Sequence, residues 1–148
     1  MKTLILVFSK HHGNTKKLAD AIASAFPNDV ELFDITSGPL PDLSAYGLVG
    51  IASGIYGASF GKPMLKALET LPEYTPVFLL YTSAVKLASH TNSVKKVLDA
   101  RNAVLLGEYR CQGYNTFGPF KLVGGSGKGH PDQQDLDGAV KFYESLEP

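Results

Sequence analysis

The sequence predicts a three-layer α/β/α domain built on a doubly wound, parallel sheet of five strands. Short apolar runs alternate with stretches whose apolar residues recur at helical spacing, and the connections between them are short. The first apolar run is nearly continuous, which is typical of a strand that is covered on both faces. Strands that alternate with helices in this way favour a parallel sheet over a sandwich or a helical bundle.

The first strand and the helix after it are the clearest elements. Residues 3–8 form a β-rich apolar run that ends before Gly13 and Asn14. From Thr15 onwards, apolar or small residues recur at helical spacing, and Pro27 ends that pattern. The chain therefore begins with a strand, a glycine-containing loop and a helix.

The later elements repeat this alternation. Further strands are predicted at residues 29–35, 48–52, 77–81 and 103–107. Helices are predicted to begin near Lys62 and to span residues 93–100 and 132–145. Pro63 fits the first turn of its helix, where the backbone N–H has no partner within the helix.

Length and composition indicate a single globular domain over residues 1–148, with 44% hydrophobic and 19% charged residues. Lys and Arg number 14 together, as do Asp and Glu, so no net field favours nucleic acid or an anionic membrane as a partner. The N-terminal apolar run is too short for a signal peptide, and no later run reaches a membrane-spanning length. We therefore expect a soluble, cytoplasmic protein.

Cysteine and histidine give no indication of a metal centre. Cys111 is the one cysteine, which excludes an intrachain disulfide and a multi-cysteine metal cluster. A role as a small buried hydrophobic residue is favoured for it over a reactive role. The adjacent His11 and His12 do not form a metal site without a third ligand, so no metal is predicted.

Segments rich in glycine and hydroxyl groups follow three of the predicted strands, at residues 9–15, 53–61 and 82–84. Ligands of doubly wound sheets bind beyond the carboxyl ends of the strands, so we expect these segments to meet at one rim. Residues 111–131 are rich in glycine and carry aromatic residues, which predicts a long ordered loop beside that rim. The glycine-rich run within it does not fit the Walker pattern, because Lys128 is followed by Gly.

The first of these segments has the parts that bind an anion. It offers backbone N–H groups, the side chains of Ser9, Asn14 and Thr15, and the positive end of the helix that begins there. A Gly-Asn-Thr sequence taken alone would more simply cap the helix. Its position after the first strand, with companion segments after the third and fourth strands, favours anion binding.

The motif Ser9-x-x-x-Gly13-Asn14-Thr15 resembles the loop that holds the phosphate of flavin mononucleotide (FMN) in flavodoxins. Residues 53–57 resemble the second loop of that family, which flanks the isoalloxazine ring. Residues 107–114, then residues 129–131 with Asp135 and the last helix, resemble a short-chain branch of the family, so the resemblance covers essentially the whole chain. It implies a flavodoxin-like sheet with strand order 2-1-3-4-5 and a bound FMN.

The resemblance implies a set of cofactor-binding residues on the three segments and the long loop. They are Ser9, Lys10, His11, His12, Gly13, Asn14, Thr15, Ser53, Gly54, Ile55, Tyr56, Gly57, Thr82, Ser83, Ala84 and Tyr114. Tyr56 is predicted to pack on the flavin ring, because its glycine neighbours allow close approach; a mobile surface aromatic is the alternative. Tyr114 is a second aromatic candidate.

Two parts of this set have alternatives. Lys10, His11 and His12 stand where many flavodoxins have hydroxyl groups, so they either add positive charge to the phosphate site or form a solvated loop. Residues 82–84 form either a third wall around the cofactor or a strand-end turn that caps a helix.

Three functions remain open: an FMN-binding electron carrier, a small FMN-dependent reductase of a nicotinamide or quinone, and a flavin-free binding domain on the same fold. A phosphorylatable receiver domain is excluded, because Val7-Phe8-Ser9 supplies no carboxylate at the end of the first strand. Carriers of this family are commonly acidic, so the balanced charge leaves room for the reductase. We favour a monomeric carrier that exchanges electrons with redox partner proteins, since no residue has enough context to be named as a catalytic acid or base.

Overall fold

The strands and helices follow the predicted alternation in a computed structural model that describes residues 1–10, 13–114 and 127–146. The strands are β1 (Thr3–Phe8), β2 (Val30–Asp34), β3 (Leu48–Tyr56), β4 (Ser59–Phe60), β5 (Pro76–Thr82) and β6 (Val104–Cys111). The α-helices are α1 (Asn14–Ala25), α2 (Lys62–Ala67), α3 (Asn92–Ala100) and α4 (Gln133–Glu144). Short 3-10 helices lie at Leu43–Ala45, Leu68–Thr70 and Ala88–Thr91.

Five of the strands form one parallel sheet in the order β2-β1-β3-β5-β6. Counted among the parallel strands alone, this is the order 2-1-3-4-5, so the predicted doubly wound topology is confirmed. The short β4 lies off this path and pairs antiparallel with the end of β3.

The end of β3 corrects one boundary. Residues 53–56 were predicted to follow the third strand as a loop, but they continue it and pair with β5 and then with β4. In that pairing Ser53 lies beside Tyr81, and Gly54 lies beside Thr82. The predicted loop is therefore the outer part of a β-hairpin whose turn contains Gly57.

Two hydrophobic clusters cover the two faces of the sheet. Leu6 and Ile51 face a cluster that includes Met64 of α2 and Leu98 of α3. On the other face, β1 and β5 pack against α1 and α4, and Ile22 of α1 is fully buried in that layer. All six residues of β1 are buried, which explains the unbroken apolar run in its sequence.

One glycine in the core is required by close packing. A Cβ atom at Gly50, in the middle of β3, would overlap the ring of Phe78, which is fully buried on the neighbouring β5. This aromatic ring fills the space over the glycine and contacts Phe142 and Tyr143 beyond it. The β3–β5 pair and α4 are therefore packed through Phe78.

The last strand is longer than the sequence predicted. A fifth strand was expected at residues 103–107, but β6 continues to Cys111, and only from Gln112 does the chain leave the sheet. The polar residues that interrupt its apolar pattern, such as Glu108 and Arg110, are tolerated because β6 is an edge strand and most of it is partly exposed. Cys111 itself is buried, as predicted.

The two ends of the predicted long loop lie side by side. The Tyr114 N–H donates to the carbonyl of His130 over 3.0 Å. Gly127 approaches Gly113 so closely that a Cβ atom there would lie 2.6 Å from the Gly113 carbonyl oxygen. Residues 115–126, the middle of that loop, lie outside the described residues.

The start of α4 carries the acidic residues that the sequence places there. Asp132 accepts from the backbone N–H of Asp135 over 2.9 Å, and the Asp135 carboxylate accepts from the backbone N–H of Asp132 over 2.9 Å. This capping box satisfies two N–H groups at the start of the helix. Among the described residues, no helix is long and apolar enough to cross a membrane.

Candidate functional site

A cleft of about 430 Å³ opens where β1, β3, β5 and β6 end. All three segments singled out from the sequence contribute to it, and so does the segment after β6. The predicted site residues that line it are Lys10, Asn14, Thr15, Gly54, Ile55, Tyr56, Gly57, Thr82, Ser83, Ala84 and Tyr114. The expectation that these segments meet at one rim is therefore confirmed, and the volume lies in the range of small-molecule sites.

The other predicted site residues are placed differently. Ser53 is fully buried, and its hydroxyl accepts from the Gly61 N–H over 3.1 Å and donates to the Gly54 carbonyl, inside the β3–β4 hairpin. Ser9 and Gly13 flank the cleft without lining it. His11 and His12 lie outside the described residues.

The start of α1 joins two walls of the cleft. The hydroxyls of Thr15 and Thr82 share a buried hydrogen bond of 2.9 Å, which ties α1 to the end of β5. The Asn14 side-chain amide donates to the Tyr114 carbonyl over 2.8 Å, which ties α1 to the segment after β6. These two side chains hold the cleft together.

The same arrangement decides against a simple helix cap. Gly13 occupies the capping position with a left-handed φ of 62°, and no side chain of the described residues caps the helix there. Ser9 makes only a long contact of 3.3 Å with the Lys16 N–H. The positive end of this 12-residue helix therefore lies at the rim of the cleft, and among the described side chains only the long Ser9 contact reaches its first-turn N–H groups.

Tyr56 lies across the cleft against the first loop. Its hydroxyl accepts from the Lys10 backbone N–H over 2.6 Å, and its ring packs edge-on against Phe8 at 5.4 Å. Burial raises the pKa of the phenol, while the Lys10 N–H opposes that rise. Gly54 allows this position, because a Cβ atom there would lie 2.7 Å from the tyrosine oxygen.

The described residues that line the cleft include one cationic side chain, Lys10, and no carboxylate. The Lys10 ammonium also lies over the Phe8 ring, 5.4 Å from its centroid. Behind the cleft wall, the Arg110 guanidinium donates to the hydroxyl and the carbonyl of Ser83 over 3.0 and 2.7 Å. The local charge therefore suits an anionic ligand, although the whole chain is neutral.

His90 is a lining residue that the sequence argument did not identify. It lies in the 3-10 helix Ala88–Thr91, between β5 and α3, and is 6% exposed. Burial, with a smaller contribution from Arg110, lowers the pKa of its imidazole, so the ring is neutral near pH 7. A lone histidine forms no spacing pattern that would identify it as a site residue. Its position after the fourth parallel strand was the one feature of the sequence that could have done so.

Two buried polar atoms on the cleft walls have no hydrogen-bond partner within the described ranges 1–10, 13–114 and 127–146. They are Oδ1 of Asn14 and Nδ1 of His90. Both atoms lack solvent-accessible surface, so they lie within the cleft walls and do not face the open space of the cleft. The glycines at 54 and 57, the ring of Tyr56 and the charge of Lys10 fit a flat, anionic molecule.

A second group of titratable side chains lies at the start of α4. Ligand atoms of His130, Asp132 and Asp135 lie within 4.8 Å of one another. The Asp135 carboxylate accepts from Nδ1 of His130 over 2.6 Å and also from the Asp132 N–H, which makes it part of the helix cap. This bonding accounts for the group as a structural feature of the loop base.

Comparison with known proteins agrees with the fold. The sequence profile of the flavodoxin domain matches residues 4–117. An uncharacterized protein of Methanocaldococcus jannaschii is 35% identical over 151 residues, which cover 99% of this chain and 98% of that protein.

Two solved structures show the same architecture. The two-electron reduced flavodoxin of Megasphaera elsdenii superimposes with a TM-score of 0.65 at 16% identity, over 93% of this chain and 97% of that one. A flavoprotein of Lactobacillus acidophilus in complex with FMN has a TM-score of 0.56 at 24% identity, over 74% of this chain and 92% of that one. At these identities the likeness concerns the fold alone.

Proposed function

Because this chain belongs to the flavodoxin domain family, we propose that its cleft binds FMN and that the protein carries electrons between redox partner proteins. The observation that carries the proposal is the convergence of the three segments on a cleft whose described lining residues include no carboxylate, beside the start of α1, where the capping residue is Gly13. An anion at that helix end gains both the free N–H groups and the helix dipole. The FMN complex of the L. acidophilus flavoprotein, which shares the fold, gives further support.

The residues of the first loop and α1 are suited to the phosphate end of the cofactor. Backbone N–H groups between residues 9 and 15 would hold it, together with the side-chain N–H of Asn14 that is not bonded to Tyr114, and Lys10 would add positive charge. The Lys10 N–H serves one acceptor at a time, so its bond with Tyr56 must open if this N–H contributes to the phosphate site. His11, His12, Ser9 and Gly13 remain predicted members of the same loop.

The β3–β4 hairpin and the end of β5 are suited to the ring end. Tyr56 offers an aromatic face, Gly57 leaves open space, and residues 82–84 form the facing wall. Bound FMN would supply reversible transfer of one or two electrons, which no side chain of the cleft can supply alone. The chain's own part is to bind, orient and partly cover the ring.

Paired variants test where the phosphate binds. Thr15→Ala combined with Gly13→Val removes a hydroxyl of the cleft and puts a bulky residue at a left-handed φ of 62°. We expect FMN affinity to fall at least about tenfold, which corresponds to about 1.4 kcal/mol. The control, Thr70→Ala with Gly38→Val, makes the same substitutions at exposed positions away from the cleft and should leave the affinity unchanged. Equal affinities for both pairs would place the cofactor elsewhere.

The reductase is the second candidate, and His90 favours it. The carrier was preferred partly because no acid or base could be named from the sequence, and the structure brings this titratable imidazole into the cleft. A reductive titration of the FMN-loaded protein separates the two. Reduction in two resolved one-electron steps supports the carrier, whereas a single two-electron step with steady nicotinamide turnover supports the reductase.

A further inference from the structure

We propose that the rim of the cleft is a docking surface for redox partner proteins whose own docking face is acidic, an inference that rests on the proposed function. The surface has a charged part and an apolar part. The charged part, called the lysine rim below, consists of Lys10, Lys62, Lys86 and Lys128, all of which are exposed. The apolar part consists of Val85 and Leu87, on either side of Lys86.

The four lysines belong to segments that form or adjoin the cleft. Lys10 lines the cleft itself, and Lys86 comes directly after a lining residue of the connection between β5 and α3. Lys62 begins α2, immediately after the β3–β4 hairpin. Lys128 lies in the segment that packs against the cleft wall at Gly113. The lysine rim therefore surrounds one entrance.

No carboxylate offsets this charge in the described part of these segments. Asp and Glu are absent from the described residues of the stretches 9–17, 53–62, 82–92, 112–114 and 127–130. None of the four lysines forms an ion pair with a described residue. Asp132 and Asp135, which follow the last of these stretches, cap α4 and contact His130. Because the whole chain is neutral, this entrance is positive relative to the rest of the molecule.

The apolar part distinguishes a protein partner from a polyanion such as nucleic acid. Val85 is 56% exposed and also lines the cleft, and Leu87 is 50% exposed. Surfaces that bind proteins combine apolar side chains with a polar, charged rim. Nucleic acid is held mainly by cationic contacts to its phosphates, for which exposed aliphatic side chains between the lysines serve no purpose. The combination favours a protein partner.

The sign of the charge selects among such partners. Complementary potentials raise association rates and like charges suppress the wrong partner. An acidic partner is therefore drawn to the entrance through which bound FMN would exchange electrons, and a basic partner is repelled from it. This is the reverse of the preference that an acidic carrier of the same fold would have.

The test uses two electron acceptors that contain the same haem but differ in charge. Native cytochrome c is basic, and succinylation converts its lysine ammonium groups into carboxylates. The FMN-loaded protein is reduced anaerobically with one equivalent of dithionite and mixed with either acceptor in a stopped-flow instrument. Each reduced FMN gives one electron to each of two ferric haems and releases the hydrogens gained on reduction as protons.

The salt dependence of the two rates is the expected signature. Between about 10 mM and about 0.5 M salt, reduction of succinylated cytochrome c should slow at least about tenfold, because screening removes the attraction. Reduction of native cytochrome c should accelerate or stay constant over the same range, because screening removes a repulsion. Each acceptor is compared with itself, so a difference in their potentials does not enter.

A charge reversal locates the attraction. Lys86→Glu should slow the reduction of succinylated cytochrome c at least about threefold at low salt. Lys141→Glu makes the same charge change in the last turn of α4, at the end of the sheet where Tyr143 contacts Thr3, and should have a much smaller effect. Neither lysine lines the cleft, so both variants should bind FMN like the wild type.

An apolar substitution tests the other part of the surface. Leu87→Ser should slow the same reaction at high salt as well, because salt does not screen an apolar contact. The control is Leu105→Ser, an exposed leucine near the start of β6, which should leave the rate unchanged.

An FMN titration before mixing keeps the outcomes distinct. A wild type that binds no FMN overturns the proposed function and this inference with it. A wild type that binds FMN, but whose rate with succinylated cytochrome c does not fall with salt, overturns the inference alone. Equal effects of Lys86→Glu and Lys141→Glu would mean that only the net charge matters, which also overturns it. Suppression of the rate by duplex DNA, with no effect of Leu87→Ser, would assign the lysines to nucleic acid instead.

Discussion

The hydrogen bond between Thr15 and Thr82 gives a sharp test of how the cleft is built. The two hydroxyl oxygens lie 2.9 Å apart, Thr15 is fully buried and Thr82 is 5% exposed. Thr→Val replaces the hydroxyl by a methyl group of similar shape and keeps the β-branched side chain. The variants Thr15→Val, Thr82→Val and their combination therefore isolate this one contact.

The expected magnitudes follow from the burial. Each single variant leaves one buried hydroxyl without its partner, which should lower the free energy of unfolding by about 1–3 kcal/mol. The double variant leaves neither hydroxyl, so its free energy of unfolding should lie close to that of the wild type. The coupling between the two positions should then be at least about 1 kcal/mol.

Urea unfolding of the four apo proteins measures this coupling, since the midpoints shift while the m-values stay constant. Single-variant losses that add within about 0.3 kcal/mol in the double variant would refute the reasoning, because the hydroxyls would then act independently. FMN affinity provides a second comparison. If the hydroxyls also serve the ligand, the double variant should recover its stability but not its affinity.

Three further predictions concern packing, pH and reactivity. Gly50→Ala should destabilise the fold by about 1–3 kcal/mol in urea unfolding, because its methyl group overlaps the buried Phe78 ring; a loss below about 0.5 kcal/mol would contradict the packing. The hydrogen bond to Asp135 raises the pKa of His130. The wild type should therefore be more stable than His130→Gln below pH 6.5 and should lose this advantage as the pH rises through the raised pKa. A stability advantage that grows with pH would contradict this assignment. Burial raises the pKa of the Cys111 thiol to about 12, so a thiol reagent at pH 8 should label it much faster in urea than in the native protein; equal rates would contradict its burial.

The elements of the fold could be predicted where packing sets the sequence pattern. β1 is covered on both faces, so its apolar run is unbroken and its predicted bounds match the observed ones. β6 lies at the sheet edge, where polar residues are tolerated, and the prediction therefore stopped four residues before its end at Cys111. The outer part of β3 was predicted as a loop because glycines on either side of Ile55 are more typical of turns than of strands.

The site was predictable to the level of segments, and less so for single side chains. The position of the segments 9–15 and 82–84 after parallel strands was sufficient to predict that both contribute residues to one cleft. That the Thr15 hydroxyl bonds to Thr82 rather than capping α1 depends on tertiary contacts that no local pattern records. His90 was missed for the same reason, because only the fold brings it beside the hairpin.

The most direct test of the central claim is a titration of the purified apo protein with FMN, followed by flavin fluorescence and absorption. The proposed function predicts saturation at one FMN per chain, with the fluorescence quenched as the ring enters the cleft beside Tyr56. It also predicts a smaller affinity for riboflavin, which lacks the phosphate for the α1 end. Fluorescence that rises in proportion to added FMN without saturation, or equal affinity for the two flavins, would contradict a site that holds FMN by its phosphate.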